Sequence, residues 1–287
     1  MTTETTTAAR RPRPFLVQGV KHAVVIAVGV LMTYPLAWML VSAVRDEGGI
    51  FSNAGLLPIG GDFANFAEGW DSSDFPFSRY LVNSSLVALG AIVGNLVSCS
   101  MAAYAFARLR FRGRRAFFAI MLLTIMLPIH VVIVPQYVIF SQMDWVNTFW
   151  PLVVPKFLAT DAFFVFLMVQ FIRGIPRELD EAARIDGAGF FRTWASIILP
   201  LMRPALVTTT IFTFIWTWND FFSQLIYLAD PSMYTTSVAL RSLVDSTSAS
   251  AWGPLFAMSV VSLLPVFIVF LVGQRYLVQG IATTGGK

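Results

Sequence analysis

The sequence predicts an all-α polytopic membrane protein, a six-transmembrane-helix bundle, and three observations predict it. Of 287 residues, 56% are hydrophobic and 13% charged, roughly half the charged share of an ordinary soluble domain. Six windows, 23–44, 81–107, 117–140, 149–172, 205–228 and 253–272, are apolar over the roughly 20 residues a crossing helix needs. These windows lack the alternation of barrel strands, and an open sheet edge has no place in lipid. The same composition excludes other classes. With 26 Phe and no glycine period the chain is neither disordered nor collagen-like, and the lone Cys99 has no partner for a disulfide framework.

Residues 1–22 read as a cytoplasmic N-terminal tail, Thr-rich and disordered over 2–13, with Arg10, Arg11, Arg13 and Lys21. The Arg10-Arg11 pair suggests an export signal, but the apolar run behind it is too long for a signal-peptide core and no small-residue cleavage site follows. An uncleaved first span is expected. Segment 45–80 carries six acids and the aromatics Phe63, Phe66, Trp70, Phe75 and Phe77. It is read as an external segment that either helps receive a partner or packs over the bundle. The second span is clean, and 108–116 then holds five arginines and no acid. The third span contains Pro128 and Pro135. The fourth contains Pro151, Pro155, Lys156 and Asp161, so both are expected to kink or start late. After the fifth and sixth spans, 274–287 is a cytoplasmic C-terminal tail, which leaves 23–273 as the membrane domain.

Lys and Arg number sixteen on one set of alternate segments and three on the other, with Lys156 inside span four. The positive-inside rule then places both termini, 108–116 and 173–204 in the cytoplasm of a plasma-membrane protein. The net charge of +4 follows from this bias, and no basic–aromatic pattern points to nucleic acid. No internal repeat is found, which argues against an inverted-repeat secondary transporter.

Catalytic signatures are absent. His22 and His130 lie on separate spans, with no carboxylate or Cys at ligand spacing, and read as structural; no metal site is expected. Neither a Gly-x-Ser-x-Gly elbow nor a His-Glu-x-x-His pair occurs. Gly280–Lys287 only superficially resembles a phosphate loop, since Lys287 falls one place late. The chain is expected to be no enzyme and to bind no cofactor, with any ATP and Mg held by another subunit.

The loop 173–204 is the most informative stretch. Pro176 and the acids Glu178, Asp180 and Glu181 suit the first turn of a helix, and Gly187 suits its left-handed end. A second helix then places Phe190, Trp194, Ile197 and Leu201 on one apolar stripe, ending near Pro200 and Pro204. Ala182 and Ala183 offer little side chain, so a partner's surface can approach closely. By physics alone, a hairpin lying on lipid headgroups is the favoured reading.

Residue identities go further. Glu181-Ala182-Ala183, Gly187, Ile197, Leu199 and Pro200 meet every fixed position of E-A-A, three residues, G, nine residues, I-x-L-P. This resembles the EAA loop of the permease subunits of binding-protein-dependent ABC importers. Ile175–Leu179, Ile185-Asp186-Gly187-Ala188, Asn83-Ser84, Ala103–Arg108, Trp218-Asn219-Asp220 and Gln274–Gly280 resemble its carbohydrate-uptake branch. The six spans and short N-terminal tail fit the MalG-like member of the permease pair. The resemblance implies a type I importer permease fold with 173–204 as a cytoplasmic helical coupling loop. It also implies a MalF-like permease, two ABC ATPase subunits and an extracytoplasmic sugar-binding protein as partners. ATPase coupling is carried over to Glu181, Ala182, Ala183, Asp186, Gly187, Ile197, Leu199 and Pro200, acting as a lever on spans four and five. The cargo expected is a di- or oligosaccharide. A glycerophosphodiester or an amino acid is the alternative within the class, and a membrane-embedded enzyme or stand-alone channel the alternative outside it.

Two acids sit inside spans, where a central Asp costs about 2.5–3.5 kcal/mol on insertion scales and so tends to face a cavity or a partner. Along span five, Thr209, Thr213, Trp216, Asp220, Ser223 and Tyr227 recur at helical spacing as one polar–aromatic stripe. Thr213, Trp216, Asn219, Asp220, Ser223 and, in span four, Asp161 are therefore candidates for a translocation path. The competing reading has the acids tether helices and the tryptophans form an interfacial belt. In the family, the better-defined sugar site tends to belong to the MalF-like partner.

Overall fold

A computed structural model describes residues 15–52, 55–56, 61, 63–245 and 251–282. The Thr-rich stretch 2–13 and the residues from 283 onward lie outside the described residues. Every element among the described residues is helical. In chain order they are α1 (Phe15–Ser42), α2 (Glu47–Ser52), α3 (Ala64–Asp71), α4 (Phe77–Arg108), α5 (Arg114–Thr124), α6 (Ile129–Gln142), α7 (Trp150–Val153) and α8 (Ala162–Gly174). There follow α9 (Glu178–Ile185), α10 (Phe190–Thr193), α11 (Leu199–Leu201), α12 (Arg203–Asn219), α13 (Phe222–Tyr227), α14 (Thr236–Asp245) and α15 (Trp252–Ala282).

Four stretches are long and apolar enough to cross a membrane: Gln18–Ser42, Phe77–Arg108, Trp150–Gly174 and Trp252–Gln274. Two bent pairs bring the number to six if each is one span: α5 with α6, bent by 101°, and Phe190–Leu201 with α12, bent by 79°. The expected third span is thus no straight helix. Pro128 precedes α6 in extended conformation, and the helical ladder breaks there because proline has no N–H to donate. Pro135, by contrast, is carried inside α6.

The fourth span starts with an irregular half, as its prolines predict. α7 passes into a 3₁₀ turn over Val154–Leu158, Ala159 takes a left-handed φ of 53°, and α8 starts only at Ala162. The fifth departs from expectation. It ends at Asn219 instead of running to 228, and α13 restarts it two residues later.

Lipid tails are as apolar as Leu, so spanning helices associate through packing and polar bonds rather than hydrophobic burial. α4 shows both. Its residues enter all three buried clusters, through Phe77 and Tyr80, through Val87, and through Cys99, Ala103, Tyr104 and Ala107. Gly90 and Gly94 open a groove on it. A Cβ at Gly90 would stand 2.8 Å from Val153, and one at Gly94 would stand 2.9 Å from the Lys156 backbone. The irregular half of span four lies in that groove, and α8 and α12 pack beside it.

Candidate functional site

The 173–204 loop folds as two unlike halves. α9 starts with Glu178, Asp180 and Glu181 in its first turn and Arg184 in its last, a charge order that suits the helix dipole. Gly187 then takes φ 76°. The Ala188 N–H donates to Ala183 O at 2.8 Å and the Gly187 N–H to Arg184 O at 3.0 Å, which together make a Schellman closure. At about 1.5 Å per residue α9 is roughly 12 Å long, too short to hold without the body beneath it.

In the second half α10 runs into a π-helical turn over Trp194–Ile198 before α11. The wide turn shifts the apolar stripe. Trp194, Ile198 and Met202 are buried in the cluster with α4 and α8, whereas Phe190 is 59% and Leu201 45% exposed. The expected stripe of Phe190, Trp194, Ile197 and Leu201 is therefore corrected. It assumed an unbroken α-helix, and Pro200, which has no N–H to offer the preceding turn, sits where the ladder widens.

The residues of the loop motif divide by face. Glu181, Ala182, Asp186 and Gly187 are exposed, Ile197 and Leu199 are half-buried, and Pro200 is exposed. Ala183 is 4% exposed, so it packs against the body of the protein and is not half of an open Ala–Ala surface. Ile185, beside them, is 87% exposed. Beneath this face a cavity of about 470 Å³ lies between α9 and the residues after α4, lined by Arg108, Arg110, Phe111, Arg177, Glu181, Phe190 and their neighbours.

A second constellation lies inside the bundle. Lys156 Nζ stands 3.0 and 2.9 Å from the two Asp161 carboxylate oxygens. Asn95 Nδ2 donates to Asp161 Oδ2 at 2.6 Å and to Thr213 Oγ1 at 3.2 Å. Ser98 donates to Lys156 O at 2.6 Å and accepts from the Ala159 N–H at 3.1 Å. One node thus joins α4, α8, α12 and the irregular half of span four. Asp161 is engaged on both oxygens, and Thr213 is 2% exposed, so Thr213 faces protein and not an open path.

The third is the break at Asn219-Asp220. Gln224 Nε2 donates to Thr217 O at 2.8 Å and Ser237 Oγ to Trp218 O at 2.9 Å. These bonds satisfy carbonyls that the break frees, as non-helical backbone in a span requires. Asp220 Oδ1 accepts from the Ser223 N–H at 3.0 Å, in the manner of a helix cap. Because of the break the expected stripe is not one face of one helix. Thr209 and Thr213 are buried in α12, and Tyr227 is buried in α13. Trp216 is 48% exposed, Asn219 is exposed, and Asp220 and Ser223 are half-buried. Trp218, on the other face, is buried with its Nε1 donating to Ser262 O at 3.1 Å.

At the far end of α4 from this loop, Asn83 Nδ2 donates to Ser232 O at 3.1 Å and Tyr234 O at 2.8 Å. Ser84 Oγ accepts from the Thr236 N–H at 2.9 Å, so the Asn83-Ser84 motif bolts residues 232–236 to α4. Next to it, the Ser232 N–H bonds the Asp230 carboxylate and holds its carboxyl below the usual range. In segment 45–80, Asn65 donates to Ala43 O and Arg45 O at 3.1 and 2.7 Å, and α3 packs on α15. Of its aromatics Phe77 is buried, while Phe63 is 73% exposed. Of the two histidines, His22 bonds Gln18 O within α1, and His130 lies against the Phe222 ring.

Sequence reasoning missed Asn95 as a bond donor to Asp161 and Thr213, the pairing of Lys156 with Asp161, and the pairing of Arg108 with Asp180, whose Nε and Oδ2 stand 3.0 Å apart. Two signals were readable. Gly90 and Gly94 have the small-xxx-small spacing of helices that let other backbone approach closely, and Asn95 is a lone amide in an apolar run.

Residues 94–283 match the family model described as binding-protein-dependent transport system inner membrane component. The probable ABC transporter permease protein YurM of Bacillus subtilis (strain 168) is 33% identical, over 90% of this chain and 85% of its own. The diacetylchitobiose uptake system permease protein NgcG of Streptomyces coelicolor (strain ATCC BAA-471 / A3(2) / M145) is 31% identical, over 89% and 84%. The sn-glycerol-3-phosphate transport system permease protein UgpE of Yersinia pestis bv. Antiqua (strain Antiqua) is 32% identical, over 91% and 94%. A chain of a bacterial ABC transporter involved in the import of the acidic polysaccharide alginate superposes with a TM-score of 0.80 at 24% identity, covering 94% of this chain and 99% of its own.

Proposed function

The chain belongs to the family of binding-protein-dependent transport system inner membrane components, multi-pass permeases of ABC importers, and from that premise we propose that it is the MalG-like half of an ATP-driven sugar importer. In this reading a MalF-like permease completes the path, two ATPase subunits bind and hydrolyse ATP with Mg, and an extracytoplasmic protein delivers the cargo. The termini and the 173–204 loop face the cytoplasm, by the charge asymmetry of the segments.

The observation that carries the reading is the division of the loop. One half is built into the core through Trp194, Ile198 and Met202. The other holds up a short closed helix whose outer face, Glu181, Ala182, Ile185 and Asp186, is open. A hairpin resting on lipid headgroups has no need for such a body-anchored, outward-facing helix end. An ATPase cleft that must push on the bundle does. Gly187→Val tests it, because a β-branched residue resists the positive φ there, at a cost of order 1–3 kcal/mol. The expected outcome in reconstituted vesicles is intact insertion with lost stimulation of ATPase activity by the binding protein and no uptake. Normal stimulation and uptake would return the loop to the lipid surface.

The relatives carry different cargoes by name, diacetylchitobiose in one and sn-glycerol-3-phosphate in another. A sugar is favoured here by the group at the helix break: Trp216, Asn219, Asp220 and Ser223 combine an accessible aromatic face with hydrogen-bonding side chains. Asp220→Ala is expected to cut uptake at least tenfold at matched complex levels, and Leu225→Ala less than threefold. Equal uptake by the two variants removes the break from the path.

A further inference from the structure

Arg108 is the last residue of α4, and Asp180 lies in the first turn of α9. Their side chains are only 5% and 10% exposed, with Nε and Oδ2 3.0 Å apart. Arg108 Nη2 also donates to Ile175 O at 2.6 Å, just ahead of α9. One turn back on α4, Tyr104 is buried in the same cluster as Trp194 and Ile198 of the second half of the loop. The C-terminal end of α4 therefore grips both halves of the 173–204 loop.

Taking two charges out of water is costly, and well-packed apolar residues often hold two elements together as firmly. What the pair adds is a Coulombic tie between two buried charges: Nε and Oδ2 stand at ion-pair distance without forming a hydrogen bond, and the directed bond at this joint is the one from Arg108 Nη2 to Ile175 O. From this joint α4 runs on as one stiff helix of 32 residues, about 48 Å long. It is tied midway to Asp161 and Thr213 by Asn95, and near its start to residues 232–236 by Asn83 and Ser84.

We propose that the buried Arg108–Asp180 pair is the joint through which the coupling loop drives α4, so that displacement of α9 reaches residues 232–236 along that one helix. Arg108 and Asp180 are positioning residues in this scheme and touch neither cargo nor nucleotide. The proposal rests on reading 173–204 as the ATPase-coupling loop. It changes the expected lever, which was to act on spans four and five.

The test uses the full importer in vesicles, with basal and binding-protein-stimulated ATP hydrolysis measured at equal amounts of assembled complex. A wild-type complex without stimulation would sink the coupling reading itself before any variant is compared. Given wild-type stimulation, Asp180→Asn is expected to keep the ATPase subunits bound while stimulation falls at least tenfold. The double exchange Arg108→Asp with Asp180→Arg is expected to regain at least a third of it. Wild-type stimulation in Asp180→Asn, or an assembled double variant that stays unstimulated, overturns the joint. If Asp180→Asn does not assemble, Asp180→Glu decides in its place, because it keeps the charge and changes only the reach. Stimulation reduced at least threefold with the ATPase still bound supports the joint, and anything nearer wild type overturns it.

Discussion

α1 and α4 are the two longest apolar helices of the N-terminal half, with mean hydropathy of 2.2 and 1.9 in their best windows. By hydropathy they are equivalent, yet the fold uses them in opposite ways. α1 is exposed along most of its length, with Val25 at 71% and Leu31 at 68%, and packs chiefly on α15. α4 enters every buried cluster. The difference lies in where their polar side chains bond. Thr33 and His22 bond back within α1, to Gly29 O and Gln18 O. Asn83, Asn95 and Arg108 bond from α4 to three other parts of the chain. Hydropathy says that a helix crosses the membrane; its small and polar residues say whether the rest of the protein is built around it.

The largest effect that would test this contrast is at Gly94. A Cβ there stands 2.9 Å from the Lys156 backbone, so Gly94→Leu drives backbone out of the groove. Overpacking typically costs about 1–3 kcal/mol and sometimes more, and the upper end is expected because backbone cannot rotate away. Recovery of folded protein in detergent should fall severalfold, and normal recovery would mean that the groove is not tightly packed. Asn95→Leu comes next. It removes a buried donor to Asp161 and to Thr213, a loss of about 1–3 kcal/mol for partners left unsatisfied, read as a lower Tm of the purified protein. Val25→Ala should be smallest, within about 0.5 kcal/mol. If it matched Asn95→Leu in Tm of the assembled importer but not in the isolated chain, the exposed face of α1 would be a contact with the partner permease.

Much of the candidate site was legible because it rests on local rules. Gly187 needed only the φ restriction on residues with a Cβ, and its left-handed closure with Ala188 is seen. The acids opening α9 needed only the helix dipole. The motif residues Glu181 and Ala182 lie on the outer face of α9. The errors came where a local pattern was carried past a break. The stripe on span five counted through Asp220 at helical spacing, and the chain stops being a helix there. The stripe on the second loop helix counted through Trp194–Ile198, where a π turn moves the buried face from Ile197 to Ile198.

The amino-acid sequence by itself determined the class of protein, the approximate positions of the spans and the two halves of the loop. These follow from apolar length, from lysine and arginine bias, and from Gly and Pro punctuation, all properties of neighbouring residues. Only the tertiary structure decided that α4 is the central helix, that Lys156 and Asp161 neutralise one another, and that Ala183 turns inward. It alone showed that Arg108 reaches Asp180. Arg108 and Asp180 lie tens of residues apart, and Lys156 meets Asp161 five residues on across an irregular stretch, in a medium where a buried charge or amide must find a partner. Which partner it finds depends on how closely two backbones approach, and no local pattern records that distance.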